Sequence, residues 1–404
     1  MQFDKNINNT ENNFIRNSSS MLNNIFGTEE VTPFWVADMN FTIAPSITAE
    51  MQRLVDRSQF AYEFNAKAIF NAISQWYQKR HQLTLNPDNF VQVTGVLTGI
   101  GLLIRELTNK GDTVLIQTPA YHQFSKVITT ADRQVIKSPL KINNGKYEMD
   151  FDDLENKLAN PRVKLMILCN PHNPVGRVWT KPELQRLVDI AERHDVTIIS
   201  DEIHADIIYS GHSFNSLMSL APEKHVALIG SPSKTFGMQS ISNGYIYTAN
   251  EGIQKDIRAL AESLYIDHGN AFTTFSTIAA YEKGADWLDS LLIYLEKNVD
   301  WINAFVAKEL PNVSLFPVEG TYQVWLDFSQ TGLEGSALTK LFGKAGFGAA
   351  PGSWFDSEGS QFARMNIAAP LADIKNAFKQ LKEVLEQPSE ANQSSECGNS
   401  TGCC

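Results

Sequence analysis

From about Ser46 to Ile229, amphipathic stretches alternate with short, almost wholly apolar ones. Ala66 to Arg80 repeats its apolar positions with the period of a helix, whereas Thr113 to Gln117, Val163 to Cys169, Val196 to Ser200 and Val226 to Gly230 are compact apolar runs. Such runs are too short for helices and suit strands buried on both faces. Their alternation with helices predicts βαβ units on a parallel sheet. Further on, Asp286 to Leu310 predicts a long amphipathic helix, Thr321 to Asp327 a strand, and Asp373 to Glu386 a closing helix with Lys and Glu on its polar face. These elements predict a smaller α/β domain.

The two ends differ from the body. The first thirty residues are rich in Asn and Ser and read as an arm packed onto something else, with ordered structure beginning near Val31. After Gln387 the composition turns to Pro, Ser, Asn, Gly and Glu, which predicts a disordered tail. The expected division is an arm and the start of the small domain over 1–45, a large domain over 46–285, a small C-terminal domain over 286–386, and the tail over 387–404.

Composition narrows the classes. A chain of 404 residues with a 43% hydrophobic share carries enough apolar side chains for two or three packed domains. Its 45 acidic against 34 basic residues leave a net charge of −11, which argues against nucleic acid as the main partner. No apolar run reaches the length of a membrane span, and Met1-Gln2-Phe3-Asp4-Lys5 lacks the layout of a signal peptide, so a soluble, cytoplasmic protein without a membrane partner is expected. Of the four cysteines, Cys169 stands alone in the body while Cys397, Cys403 and Cys404 lie in the tail. That spacing supports neither a disulfide framework nor a metal site.

Three segments carry candidate chemistry. Ser231-Pro232-Ser233-Lys234-Thr235-Phe236 follows the run ending at Gly230, and Asn170-Pro171-His172-Asn173-Pro174-Val175-Gly176 follows the one ending at Cys169. Ser200-Asp201-Glu202-Ile203-His204 closes the run between them. All three stand where ligands of open α/β sheets bind, beyond the carboxyl ends of the strands. Taken singly, a Ser-Lys pair, an N-capping Asp or an Asn-Pro turn is unremarkable. Together they supply the parts that hold a pyridinium cofactor, and they resemble pyridoxal 5'-phosphate enzymes of the aspartate aminotransferase fold, fold type I. With Phe34-Trp35-Val36-Ala37-Asp38-Met39-Asn40-Phe41, Thr118-Pro119-Ala120-Tyr121 and Arg364-Met365-Asn366-Ile367-Ala368, the set is similar to the MalY/PatB-type cystathionine β-lyases, from about Val31 to Leu385.

That resemblance implies an α/β fold with a mostly parallel seven-stranded sheet between helices and a smaller α/β domain. It implies that Lys234 binds the cofactor covalently and then removes the substrate Cα proton, that Asp201 holds the pyridine nitrogen protonated, and that Asn173 reaches the phenolic oxygen. Tyr121 stacks on the ring, and His204 stands behind it. The backbone N–H groups of Val96 and Leu97, after Thr94-Gly95, bind the phosphate together with the hydroxyls of Ser231 and Ser233. Tyr62 is implied to reach the phosphate of a neighbouring subunit, making the protein a homodimer with shared sites. Ala61 stands before it where the family usually has Gly. Arg364 would bind the substrate carboxylate through its guanidinium fork, and Trp35, Ala37 and Tyr322 would line the substrate pocket or merely pack in the core.

The chain also departs from the pattern. Gly237-Met238-Gln239-Ser240 follows Phe236 where the family commonly has Asn and then Ala-Gly, Ser242 occupies a position where aminotransferases often place Arg, and Leu371 follows Pro370 where the family often has Arg. The usual Lys and Trp of the arm are replaced within Asn17 to Leu22. The activity implied is α,β-elimination of L-cystathionine or a related L-cysteine thioether to a thiol, pyruvate and ammonia. The alternatives are an aminotransferase on the same site, a cofactor-binding regulatory protein, and a sheet protein with no cofactor.

Overall fold

The structure is a computed structural model and describes residues 2–5, 13–63, 66–220 and 225–387. Its centre is a seven-stranded sheet of β1 (Phe90–Val93), β2 (Thr113–Thr118), β3 (Gln134–Pro139), β4 (Val163–Cys169), β5 (Thr197–Asp201), β6 (Val226–Gly230) and β7 (Gly244–Tyr247), in the order β1-β7-β6-β5-β4-β2-β3. Pairings from β6 through to β3 are parallel, while β7 runs antiparallel to both its neighbours. The nearly all-apolar character of β4, broken only by the exposed Lys164, and that of β6 follow from burial on both faces, since helices cover each side of a parallel sheet.

Register sets the working rim of this sheet. Asp201 pairs with Cys169 on one side and Ile229 on the other, so the segments leaving β4, β5 and β6 emerge together. Gly244, at the start of the antiparallel β7, lies opposite Val93 at the end of β1 and joins the same rim. A Cβ on Gly244 would stand 2.9 Å from the carbonyl carbon of Gly95, so only glycine lets β7 pass the start of the helix Val96–Leu107. The helix Lys181–Arg193 opens on a capping box between Thr180 and Glu183 with Pro182 in its first turn, which fixes where the chain leaving the Asn170–Gly176 loop turns back.

A second sheet, of β8 (Ser314–Leu315), β9 (Gln323–Asp327), β10 (Ala350–Pro351) and β11 (Phe362–Asn366), is antiparallel in the order β8-β9-β11-β10. The long helix Ala285–Glu309 buries Trp287, Leu288, Leu291, Tyr294 and Leu295. Thr32–Pro33 pairs in parallel with Phe347–Gly348, which ties the N-terminal segment to this half of the molecule. No helix among the described residues is long and apolar enough to cross a membrane.

Two expectations from the sequence need correction. Ordered structure begins before Val31, with a turn of 3-10 helix at Ile15–Asn17 and a helix at Ser19–Phe26 that buries Leu22 and Phe26. Two buried apolar residues suffice to anchor two helical turns, and the Asn and Ser around them face outward. The strand expected from Thr321 starts at Gln323, because Thr321 has φ +66° and interrupts the extended backbone. The tail after Gln387, with Cys397, Cys403 and Cys404, lies outside the described residues.

Candidate active site

Lys234 rises from the short helix Ser233–Phe236 immediately after β6, and its Nζ donates to the Ala37 carbonyl at 2.5 Å. Burial, reinforced by the Arg364 cation, pushes its amine down to about 8, against the pull of Asp38 and Asp201. Asp201 ends β5 and is buried, with Oδ1 accepting the Ile203 N–H at 3.2 Å. Burial pushes its carboxyl up to about 7, while that N–H and the Lys234 cation act the other way. His204, also buried, sets its ring edge-on to Tyr322 at 5.8 Å. Burial and the cations Lys234 and Arg364 push it down to about 3, so it is neutral, and its Nδ1 has no hydrogen-bond partner among the described residues.

Arg364, on β11, reaches the same cavity from the smaller sheet. Its Nη2 donates to the Trp35 carbonyl at 2.7 Å, its Nη1 lies 3.4 Å from Asn173 Oδ1, and its guanidinium covers the Phe355 ring at 4.7 Å. Although 4% exposed, it pairs with no carboxylate among the described residues, and its Nε has no acceptor. Burial pushes its pKa down to about 10. A desolvated guanidinium without a counter-ion is costly unless an anionic ligand completes it.

The segment Trp35–Asp38 forms a wall between these groups and presents its carbonyls to them. Ala37 accepts from Lys234 and from the Tyr322 phenol at 3.2 Å, while Asn366 Nδ2 donates to Val36 at 2.7 Å and to Asp38 at 2.5 Å. Trp35 is buried, with its indole edge-on to Trp354. Tyr322 is placed by the left-handed Thr321, whose N–H donates to Ile207 and whose carbonyl accepts from the Tyr209 hydroxyl at 2.7 Å. A β-branched residue in that region is held only by strong surrounding contacts.

On the far side of the rim, the helix Val96–Leu107 begins at Gly95, and the Val96 and Leu97 N–H groups have no intrahelical acceptor. Ser231 behaves differently from the expectation of a free phosphate donor, because its hydroxyl donates to the Asn243 carbonyl at 2.9 Å and accepts from the Ser233 N–H. The Ser233 hydroxyl has no such bond. Tyr121 lies half-buried beside His122 and Phe124, and burial raises its phenol, so it stays protonated. Tyr62 is fully exposed and makes no hydrogen bond or ring contact with any residue of the cavity, so a single chain does not bring it in.

These residues fit pyridoxal phosphate. The helix N-terminus with Ser233 offers phosphate donors, the buried Asp201 keeps an oxygen unengaged by the protein for a ring N–H, and the lysine between them has a depressed pKa. Sequence reasoning missed Arg16, which ion-pairs with Asp38 at 3.1 Å, and the aromatic surround of Trp354 and Phe355. An arginine in an Asn-rich stretch carries no signal of what it will meet.

Residues 38–381 match the family model described as aminotransferase class I and II. The chain is 34% identical to cystathionine β-lyase PatB of Bacillus subtilis (strain 168) over 89% of its own length and 94% of that protein's. Its structure is similar to the pyridoxal phosphate-bound C-S lyase of Staphylococcus hominis, with a TM-score of 0.88, 30% identity and coverage of 96% and 98% of the two chains. It is likewise similar to cystalysin of Treponema denticola, which contains pyridoxal 5'-phosphate, with a TM-score of 0.89, 28% identity and coverage of 95% and 98%. The cavity that gathers Lys234, Asp201, Asn173 and Arg364 is thus that of a fold type I protein, and the chain belongs to the class I and II aminotransferase family, in its MalY/PatB-type cystathionine β-lyase group.

Proposed function

We propose that this protein is a pyridoxal phosphate-dependent carbon–sulfur lyase that cleaves L-cystathionine or a related L-cysteine thioether to a thiol, pyruvate and ammonia. The observation that carries the reading is the pairing of a buried, uncompensated Arg364 with the depressed amine of Lys234 in one cavity. Arg364 takes the α-carboxylate on its planar fork, which orients the amino acid. Lys234, whose amine gives up its own proton at about pH 8, takes the proton from Cα. When bound, pyridoxal phosphate supplies the sink for the electron pair left at Cα. Sulfur leaves Cβ as a thiolate with its bonding pair, and the proton that Lys234 took from Cα passes to it, giving the thiol. The released enamine takes up water to give pyruvate and ammonia.

The other residues hold and shape. Asp201 would keep the ring nitrogen protonated, Asn173 would reach the phenolic oxygen, Tyr121 would stack on the ring, and Val96, Leu97 and Ser233 would receive the phosphate. Ser231 would join them only by turning its hydroxyl away from Asn243. His204, held neutral by burial, backs the ring. Trp35, Ala37 and Tyr322 wall the substrate side. The full exposure of Tyr62 supports a homodimer in which it serves the partner's phosphate site. A cytoplasmic place in sulfur amino-acid metabolism follows from the same reading.

The test is incubation of cofactor-saturated protein with L-cystathionine, with pyruvate and free thiol assayed beside a Lys234→Ala control. Equal amounts of pyruvate and thiol, lost in the control, are expected. Amino transfer to an added keto acid without pyruvate from cystathionine would overturn the lyase reading in favour of an aminotransferase.

A further inference from the structure

The arm before Val31 enters the active site through one side chain. Arg16, 9% exposed, spreads its guanidinium over the segment that walls the cavity: Nη1 donates to the Met39 carbonyl at 3.1 Å and pairs with Asp38 Oδ1 at 3.1 Å, and Nη2 donates to Asn40 Oδ1 at 3.1 Å. Its own carbonyl accepts the Trp35 indole N–H at 3.1 Å. Four contacts from one residue therefore clamp both ends of a segment whose middle carbonyl, on Ala37, receives Lys234 and Tyr322. The clamp is anchored by the helix Ser19–Phe26, where the Phe26 carbonyl lies so close to Gly343 that a Cβ there would stand at 2.2 Å. Arg16 lies outside the stretch matched by the family model.

Its charge matters as well as its reach. The ionisable groups that face Lys234 are Arg364, Asp38, Asp201 and the neutral His204, and those that face Asp38 are Arg16, Lys234 and the Tyr322 phenol. Asp38 is thus the one acid shared between the arm and the catalytic lysine.

We infer that Arg16 is a positioning residue of this active site: by clamping Trp35–Asn40 and neutralising Asp38 it sets both the place and the charge environment of Lys234. The inference rests on the cofactor assignment above. Burial raises the Asp38 carboxyl and Arg16 counters that rise; with Arg16 gone, the Asp38 carboxylate, where it stays ionised, acts on Lys234 unopposed and favours a proton there. Without Asp38, that proton is held less firmly.

The readout is the pH midpoint of the absorbance band of bound pyridoxal phosphate, which reports the proton on the linkage between Lys234 and the cofactor. Arg16→Gln is expected to move the midpoint up by about half a pH unit or more, roughly a threefold change in the ionisation constant. Asp38→Asn is expected to move it down, the double variant to follow Asp38→Asn, and Arg16→Lys to stay near the parent value because it keeps the charge. Arg16→Gln should also raise KM for the amino acid more than it lowers kcat, since Trp35 carries the acceptor of Arg364. A folded Arg16→Gln with an unmoved midpoint overturns the inference. If that variant does not fold, an unmoved midpoint in Asp38→Asn overturns it equally. A parent protein with no cofactor band at all overturns the proposed function, a result distinct from either.

Discussion

Lys234 and Tyr322 share a single acceptor, the carbonyl of Ala37, which takes the lysine Nζ at 2.5 Å and the phenol at 3.2 Å. The three residues come from the helix after β6, the turn that leads into β9 and the N-terminal segment. One backbone carbonyl therefore registers all three parts of the molecule at the point where the chemistry is proposed to occur. Tyr322→Phe removes one donor from this junction and leaves its shape. The expected outcome is a loss of about 1 kcal/mol in stability, by denaturant titration, with kcat lowered a few-fold.

The amine of Lys234 lies near 8 where an ordinary lysine lies at 10.5. Only the neutral amine attacks a carbonyl, so the rate at which cofactor-free protein takes up pyridoxal phosphate should rise with pH and level off above about 8. Stopped-flow absorbance measures it. A rate still climbing tenfold per unit through pH 9.5 would show that burial does not depress this lysine as the cavity requires.

Glu202 sits behind Asp201 and is buried, with Oε1 accepting from Ser200, Ser216 and the Leu217 N–H while Oε2 has no partner among the described residues. Burial pushes its carboxyl up to about 8 against those donors, from 4.5. A carboxyl raised on folding contributes stability that is fully present below the unfolded value and is lost as pH rises toward the folded one. Glu202→Gln should therefore gain on the parent as pH goes from 5 to 8, by up to about 1.4 kcal/mol per pH unit. Urea melts of both proteins at the two pH values check the sign.

Glu319 locks the turn that delivers Tyr322. Its carboxylate pairs with Arg177 at 3.1 Å and Lys146 at 2.6 Å and accepts the Val178 N–H at 2.9 Å, while its N–H donates to the Gly176 carbonyl. Arg177, 2% exposed, would keep Glu183 but lose its second anion in Glu319→Ala. The expected cost is about 3 kcal/mol, measured by chemical denaturation, the lower end for breaking a buried pair. A cost under about 1 kcal/mol would mean that the loop is held by its backbone bonds alone.

Within the large sheet, the apolar runs Val163 to Cys169 and Val226 to Gly230 coincide with β4 and β6, and Thr113 to Gln117 falls one residue short of β2. Central strands buried on both faces are mostly apolar, so their limits are largely written in composition. The helix Ser19–Phe26 was not legible, because only Leu22 and Phe26 of its eight residues are buried. Thr321 likewise gives no local sign of a left-handed backbone, which the bonds to Ile207 and Tyr209 impose.

The candidate site divides in the same way. Lys234, Asp201 and Asn173 were legible because each directly follows a recognisable strand, and parallel register brings strand ends to one rim. Arg16, the clamp on Asp38 and the sharing of the Ala37 carbonyl were not, since the partners stand 197 residues apart for Lys234 and 329 for Arg364 and Trp35. By itself the sequence determined the buried central strands β2, β4, β5 and β6, to within a residue at their ends, and the reactive side chains that leave from them, because periodicity and turn chemistry act over a few neighbouring residues. Only the tertiary structure decided that an arginine of the N-terminal arm neutralises the acid beside the lysine and that Ser231 spends its hydroxyl on Asn243, because such pairings depend on how separately formed elements pack.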